Sequence, residues 1–207
     1  MKKVISLFKR DYEGTQQVIN EVVPGAEWVL AGEGIPTEKI DGTCCMVKDG
    51  QLYKRYDHKP DNWKSLQRAI KYGGIIPEPV FSKPPTNFEP AQDPDPITYH
   101  WPGWLLVGDG PEDKWHREAI APDSPVNCGL LDGTYELCGP KIQANPYELT
   151  KHGLYLHGSV ELMDNPRTFE DIKNWLSSHP GVEGIVWHHS DGRKVKIKRR
   201  DFGFKWP

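Results

Sequence analysis

Two runs of β-forming residues, 43–48 and 51–56, are separated only by Asp49 and Gly50. Asp-Gly between such runs is a strong signal for a two-residue hairpin, because both central positions of the favoured turn need positive φ. The middle of the chain is therefore committed to antiparallel sheet. Immediately upstream lies Glu38-Lys39-Ile40-Asp41-Gly42, a lysine held between an acid and an apolar residue and followed by a turn-forming Asp-Gly. A lysine amine is a nucleophile only without its proton, and a free lysine is almost wholly protonated at neutral pH. Desolvation or neighbouring cations lower its pKa and expose the lone pair.

The rest of the chain alternates short strand and helix patterns. Apolar spacing over 15–23 is compatible with a short helix ended by Pro24-Gly25, and 27–31 reads as a strand. Residues 61–72 read as a helix with Asp61 or Asn62 as cap and Gly73-Gly74 as stop. Residues 77–102 are proline-rich and predict a long irregular connection with at most short edge strands. A strand follows at 104–107, a helix at 111–120, and strands at 133–138 and 154–157. Asn165-Pro166-Arg167-Thr168 opens a helix through Ser177, stopped by Pro180-Gly181. Strands at 184–188 and 194–198 flank the turn Ser190-Asp191-Gly192. The mixture predicts an α+β fold with mainly antiparallel sheets in one domain over 1–207.

Composition narrows the function. With 207 residues and a net charge of −3, the chain can bury a core and does not announce a nucleic-acid binder overall. A basic run exists locally, Arg193-Lys194-Val195-Lys196-Ile197-Lys198-Arg199-Arg200. The four cysteines include no Cys-x-x-Cys pair, and adjacent Cys44 and Cys45 point to opposite faces of a strand. Reduced thiols, a mean hydropathy of −0.65 and no long apolar run make the expectation a soluble, cytoplasmic protein with no membrane contact.

Five pieces carry chemistry. Lys39 with Asp41 and Gly42 is the first, and Arg55 on the return strand of the hairpin is the second. Glu136 in Thr134-Tyr135-Glu136-Leu137 is the third: a carboxylate inside an apolar strand needs a partner or a task. Glu183, just ahead of the strand at 184, is the fourth. Lys196 and Lys198 are the fifth. Two apart on a strand, they share one face, while Val195 and Ile197 face the core. Each has a plainer reading: a solvated basic face for the lysines, a turn acid for Glu183, an ion pair with Asp57 or Asp41 for Arg55. The histidines show no metal-ligand spacing, which favours surface or satisfied core positions. For Trp101, Trp104 and Trp115, core packing is a better reading than base stacking.

In this order the pieces resemble the covalent nucleotidyltransferase superfamily of ATP-dependent ligases and capping enzymes. The nearest likeness is to compact 5′–3′ RNA ligases whose nucleophile motif reads Lys-Ile/Val-Asp-Gly-Thr-Cys-Cys, here Lys39-Ile40-Asp41-Gly42-Thr43-Cys44-Cys45. The resemblance implies a ligase-type, ATP-grasp-like nucleotidyltransferase fold with antiparallel sheets flanked by helices. It implies that Lys39 attacks the α-phosphate of ATP to form lysyl-AMP, with Glu38 against the adenine edge and Asp41 and Gly42 shaping the turn. It further implies Arg55 on the ribose or the 5′-phosphate end, Glu136 on the ribose or a metal, Glu183 as the main metal-facing carboxylate, and Lys196 and Lys198 on the α-phosphate. The co-substrate is then ATP, the metal Mg²⁺ or Mn²⁺, and the partner RNA with 5′-phosphate and 3′-hydroxyl ends, with no obligate protein partner. Few residues follow Lys198, so the OB-fold domain of capping enzymes and most DNA ligases is not expected. Lys2, Lys3, Lys9, Arg10, Arg199 and Arg200 then become candidates for gripping nucleic acid through phosphates. A DNA or RNA/DNA nick ligase and a catalytically silent nucleotide- or RNA-binding module on the same fold stand as alternatives.

Overall fold

In chain order the strands are β1 (Ile5–Ser6), β2 (Phe8–Arg10), β3 (Val18–Val22), β4 (Ile35–Glu38), β5 (Thr43–Lys48), β6 (Gln51–His58), β7 (Glu89–Pro90), β8 (Trp101–Leu106), β9 (Gly133–Cys138), β10 (Gly153–Leu156), β11 (Gly184–His188) and β12 (Lys194–Lys198). The α-helices are α1 (Glu27–Leu30), α2 (Trp63–Tyr72), α3 (Lys114–Ala119) and α4 (Phe169–Ser178). These come from a computed structural model that describes residues 4–96, 98–121 and 130–206.

The strands form a four-stranded sheet in the order β1-β12-β11-β4 and a six-stranded sheet in the order β10-β9-β5-β6-β8-β7, with β2 and β3 as a separate ribbon. Pairing is antiparallel except between β1 and β12. The architecture is thus mixed α/β with antiparallel sheets and few helices, as the hairpin and the strand count lead one to expect. No helix among the described residues is long and apolar enough to cross a membrane.

Period-2 alternation decides which face each sheet buries. In β12, Val195 and Ile197 are buried while Lys194, Lys196 and Lys198 are not. With Ile185 and Trp187 of β11 they join a core completed by Ile172 and Leu176 of α4. Thr168 caps α4 by accepting the Asp171 N–H, and two acids in the first turn complement the helix dipole. In the six-stranded sheet Cys45, Val47, Tyr135 and Leu137 face a second core that includes Ala119 of α3. Each sheet spends one face on a helix. Their other faces, carrying Lys196 on one and Glu136 on the other, border a common cavity.

The hairpin turns as expected, with Asp49 at φ 52° and Gly50 at φ 71°. The strands expected at 133–138, 184–188 and 194–198 match β9, β11 and β12 residue for residue. Two expectations fail. Residues 15–23 contain no helix but β3, paired with β2. Val18 and Val22 are four apart, which puts them on one face of a helix or of a strand alike, and the β-branched Val18, Ile19, Val22 and Val23 favour the strand. The strand expected at 27–31 is the single helical turn α1, which buries neighbouring Trp28 and Val29 together. Short apolar runs do not separate the two states. Strand β4 escaped notice because Pro36 interrupts it, a residue tolerated there because β4 is an edge strand.

Candidate active site between the two sheets

The segment Lys39-Ile40-Asp41-Gly42 is the crossover from the four-stranded to the six-stranded sheet: β4 ends at Glu38 and β5 begins at Thr43. It is tied to both sides. The Lys39 N–H donates to the Gly184 carbonyl at 2.8 Å, continuing the β4–β11 ladder. The Asp41 N–H donates to the Tyr147 hydroxyl at 2.7 Å, and the Asp41 carboxylate accepts from the Trp206 indole at 2.7 Å. Gly42 packs where a Cβ would lie 2.5 Å from the Leu137 carbonyl oxygen, so the motif's glycine permits the close approach to β9. Asp41 and Gly42 thus sit in the crossover, anchored by Tyr147 and Trp206 and packed against β9.

The Lys39 amine lies 2.5 Å from Glu183 Oε2, and the Lys198 amine lies 3.3 Å from Glu183 Oε1. Glu183 is only 3 % exposed. It directly precedes β11, and Gly184 pairs with Lys198, so the end of the β11–β12 ladder sets its carboxylate between the two amines. The carboxylate, rather than another cation, is what contacts the Lys39 amine. A buried carboxylate with one lysine on each oxygen is a compensated charge; alone it would be costly to bury.

A cavity of about 140 Å³ opens beside this group, lined among others by Glu38, Lys39, Glu136, His157, His188 and Lys196. Two further cavities adjoin it. One of about 190 Å³ shares Glu38 and Ile40 and is walled by Tyr147, Leu149 and Tyr155. The other, about 410 Å³, shares Lys196 and is lined by Arg55, Asp57 and Cys44. Arg55 donates to Asp57 at 2.9 Å and lies over the Trp104 ring, 5.5 Å from its centroid. Glu38, Lys39, Glu136 and Lys196 thus meet at one cavity, Glu183 and Lys198 join it through the Lys39 amine, and Arg55 lines the next one.

Electrostatics sharpen the picture. Burial, followed by the charges of Lys198 and Lys39, lowers Lys196 to about 8. Burial, followed by the charges of Lys194 and His157, lowers His188 to about 4, so its ring is neutral at pH 7. Burial raises Glu38, and burial with the nearby Glu136 charge raises the Cys44 thiol to about 12. The wall is cationic but partly desolvated, the condition in which fixed charges act most strongly on an anion.

Several residues were not singled out in the sequence. His157 is a satisfied, partly buried histidine as expected, with Thr134 at one ring nitrogen and Glu136 at the other, 2.9 Å away in each case, and it lines the cavity. Tyr147, Tyr155 and Trp206 also enter the site's surroundings. None has a spacing that marks it, because distant segments bring them together. Trp104 is buried, as core packing requires. The basic tail corrects another expectation. Arg199 is buried, and its guanidinium donates to the carbonyls of Leu176, His179 and Lys205, which stitches the end of α4 to the C-terminal segment and removes it from any phosphate. Arg10 is paired with Asp201 and Lys9 with Glu21; Lys2 and Lys3 lie outside the described residues.

A lysine–carboxylate–lysine group beside a cavity lined by Lys39 and Lys196 has the charge to hold an anion. Comparison with known proteins agrees on the class, RNA ligases. The chain is 31% identical over 223 residues to "RNA ligase 1" of Pongo abelii, covering 84% of this chain and 68% of that protein. It is 30% identical over 222 residues to the Mus musculus protein of that name, with the same shares. To the Danio rerio one it is 29% identical over 256 residues, covering 96% of this chain and 77% of that protein. The RNA ligase 1 family model matches residues 119–207, which hold Glu136, Glu183, Lys196 and Lys198. The chain belongs to the RNA ligase 1 family.

Proposed function

We propose that this chain is an ATP-dependent RNA ligase on a ligase-type nucleotidyltransferase fold, and that it joins a 5′-phosphate to a 3′-hydroxyl through a lysyl-AMP intermediate. The observation that carries this is the Lys39 amine held 2.5 Å from buried Glu183 beside a cavity lined by Lys39 and Lys196. Lys39 attacks the α-phosphorus, an N–P bond forms, the bond to the bridging oxygen breaks, and pyrophosphate leaves with the electron pair. Glu183 orients the amine and accepts the proton that nitrogen sheds. Lys196 and Lys198 stabilise the charge that builds on the α-phosphate. AMP then passes to the RNA 5′-phosphate, and a 3′-hydroxyl displaces it to form the phosphodiester. The adjoining apolar cavity with Tyr147 and Tyr155 suits the base, Glu136 the ribose, and Arg55 the RNA 5′ end.

Magnesium or manganese arriving with the triphosphate supplies further charge neutralisation. Glu136, which lines the cavity and offers a hard oxygen donor, fits that ion, with Glu183 behind it. Glu183 has both oxygens engaged by lysines and serves the Lys39 amine first.

The test uses the purified chain with α-labelled ATP and magnesium. The protein is expected to take up label as an acid-labile, alkali-stable adenylate, and to pass it to 5′-phosphorylated RNA that is then joined. Label retained from γ-labelled ATP, or ATP turnover with no labelled protein, would overturn the reading. DNA strands with the same ends in the same assay separate an RNA ligase from a nick ligase of wider range.

Lys196 makes the proposal pH-dependent. Its ammonium is lost as pH rises through about 8, so ATP should bind about tenfold more weakly at pH 9 than at pH 7. In the Lys196→Met variant that pH dependence should vanish. Equal affinities at the two pH values in the unmodified chain would remove Lys196 from the phosphate grip. Stability moves the other way. Between pH 8 and the ordinary lysine range the unfolded chain binds the extra proton, so this residue's contribution to stability rises with pH across that window.

A further inference from the structure

On the cavity face of the six-stranded sheet three donors of different chemistry converge. The Cys44 sulfur, a Glu136 carboxylate oxygen and a His157 ring nitrogen all lie within 4.8 Å of one another. The sheet register builds this corner. Cys44 sits directly opposite Glu136 in the β5–β9 pair, and His157 follows β10 with its N–H on the Thr134 carbonyl at 3.0 Å. The imidazole is oriented at both ends. Nδ1 lies 2.9 Å from Thr134 Oγ1 and Nε2 lies 2.9 Å from Glu136 Oε1. Without a metal, Nε2–H donates to Glu136 and Nδ1 accepts from the Thr134 hydroxyl; a cation at the corner would take the Nε2 lone pair and leave the Nδ1 proton to Thr134 Oγ1, the second-partner arrangement of metal-ligating histidines. All three side chains are partly buried yet border open cavities: Glu136 and His157 the central one, Cys44 its neighbour.

The donor set selects the ion. Magnesium and calcium take oxygen and leave thiols alone, whereas sulfur with imidazole and carboxylate suits zinc and its neighbours. Zinc bonds of about 2.0 to 2.3 Å in a tetrahedron place donors roughly 3.5 Å apart. Separations of up to 4.8 Å would close by at most about 1.3 Å, and the 2.9 Å His157–Glu136 pair would open slightly, both within the reach of side-chain torsions. A bound zinc ion also deprotonates its thiol ligand outright.

We propose that Cys44, Glu136 and His157 form a three-ligand site for a borderline-soft divalent cation of the zinc class, with the fourth position open to the cavity. The site stands apart from the ATP reading. Its consequence rests on that reading: a metal there takes Glu136 from the nucleotide, so zinc opposes adenylation.

Cobalt is the probe. One equivalent of Co²⁺ is expected to give a thiolate-to-cobalt charge-transfer band in the near ultraviolet, which Zn²⁺ then bleaches. Cys44→Ser should abolish the band. His157→Gln should weaken Zn²⁺ affinity, measured against a chromophoric chelator, by more than about a hundredfold, since even partners of ligands contribute up to that much. Cys45→Ser, whose thiol faces the core on the opposite side of the strand, should leave the band intact. Thermal melts without metal check that each variant folds; should Cys44→Ser fail to fold, His157→Gln carries the comparison. A cobalt spectrum without the thiolate band, or a band that survives Cys44→Ser, overturns the site. In the second arm, low Zn²⁺ should suppress label uptake from α-labelled ATP in the unmodified chain and not in Cys44→Ser. Absence of label in every sample sinks the ligase reading while the cobalt result stands; label unaffected by bound zinc sinks only the antagonism.

Discussion

Lys39→Ala is expected to abolish covalent labelling by α-labelled ATP, a loss of about 10⁴-fold or more, since no other step substitutes for a missing nucleophile. The experiment has a real competitor to exclude. Lys196 borders the same cavity, and its lowered pKa leaves more free amine near neutrality than an ordinary lysine has. Geometry argues for Lys39: it has a proton acceptor 2.5 Å away in Glu183, its own N–H is bonded to Gly184 of β11, and Asp41 two residues on is held by the Tyr147 hydroxyl. Lys196 is surrounded by cations and suits an electrostatic role. Peptide mapping of the label decides. Adenylate on Lys39 that disappears in Lys39→Ala, while Lys196→Met retains a slow residue of labelling, is the expected pattern. Label that persists in Lys39→Ala and maps to Lys196 would falsify the assignment. Folding should not confuse the result, because Lys39→Ala removes one charge from a group in which Lys198 still neutralises Glu183.

Local information explains how much of this was readable beforehand. The Asp-Gly turn and the alternation Lys194-Val195-Lys196-Ile197-Lys198 each dictate their own geometry, and those strands came out as read. The convergence of Lys39 and Glu183, 144 positions apart, was legible only because motif order stood in for tertiary structure. Where no motif exists, nothing in the chain marks the contact. His157 meets Glu136 through the β9–β10 pairing, and Trp206 reaches Asp41 from the far C-terminus. Arg199 shows the opposite failure. Its neighbours in sequence are basic and suggested a solvated face, yet the alternation of β12 continues through it: Val195, Ile197 and Arg199 all point inward, which sets the guanidinium on the carbonyls that end α4. Composition reports charge, and only tertiary contact tells which charges are already spent.

Glu183→Gln should separate positioning from binding. The substitution keeps the shape of the side chain and removes the charge that Lys39 and Lys198 share. Two ammonium groups then face a neutral amide in a partly buried pocket. Removing one partner of a fully buried pair costs about 3 to 5 kcal/mol. Lys198 is 35 % exposed here and can turn to solvent, so the loss should be nearer 2 kcal/mol, read as a lower midpoint in denaturant with unchanged slope. ATP affinity should hold or improve, because the cavity gains net positive charge. Label uptake should fall by about 10²- to 10³-fold, the range that proton transfer and orientation supply. A merely structural role predicts a different split, with affinity and labelling declining together as folded protein is lost. If Glu183→Gln labels at the rate of the unmodified chain, the amine needs no acceptor and the lysine–carboxylate–lysine group is only a structural clasp between the sheets.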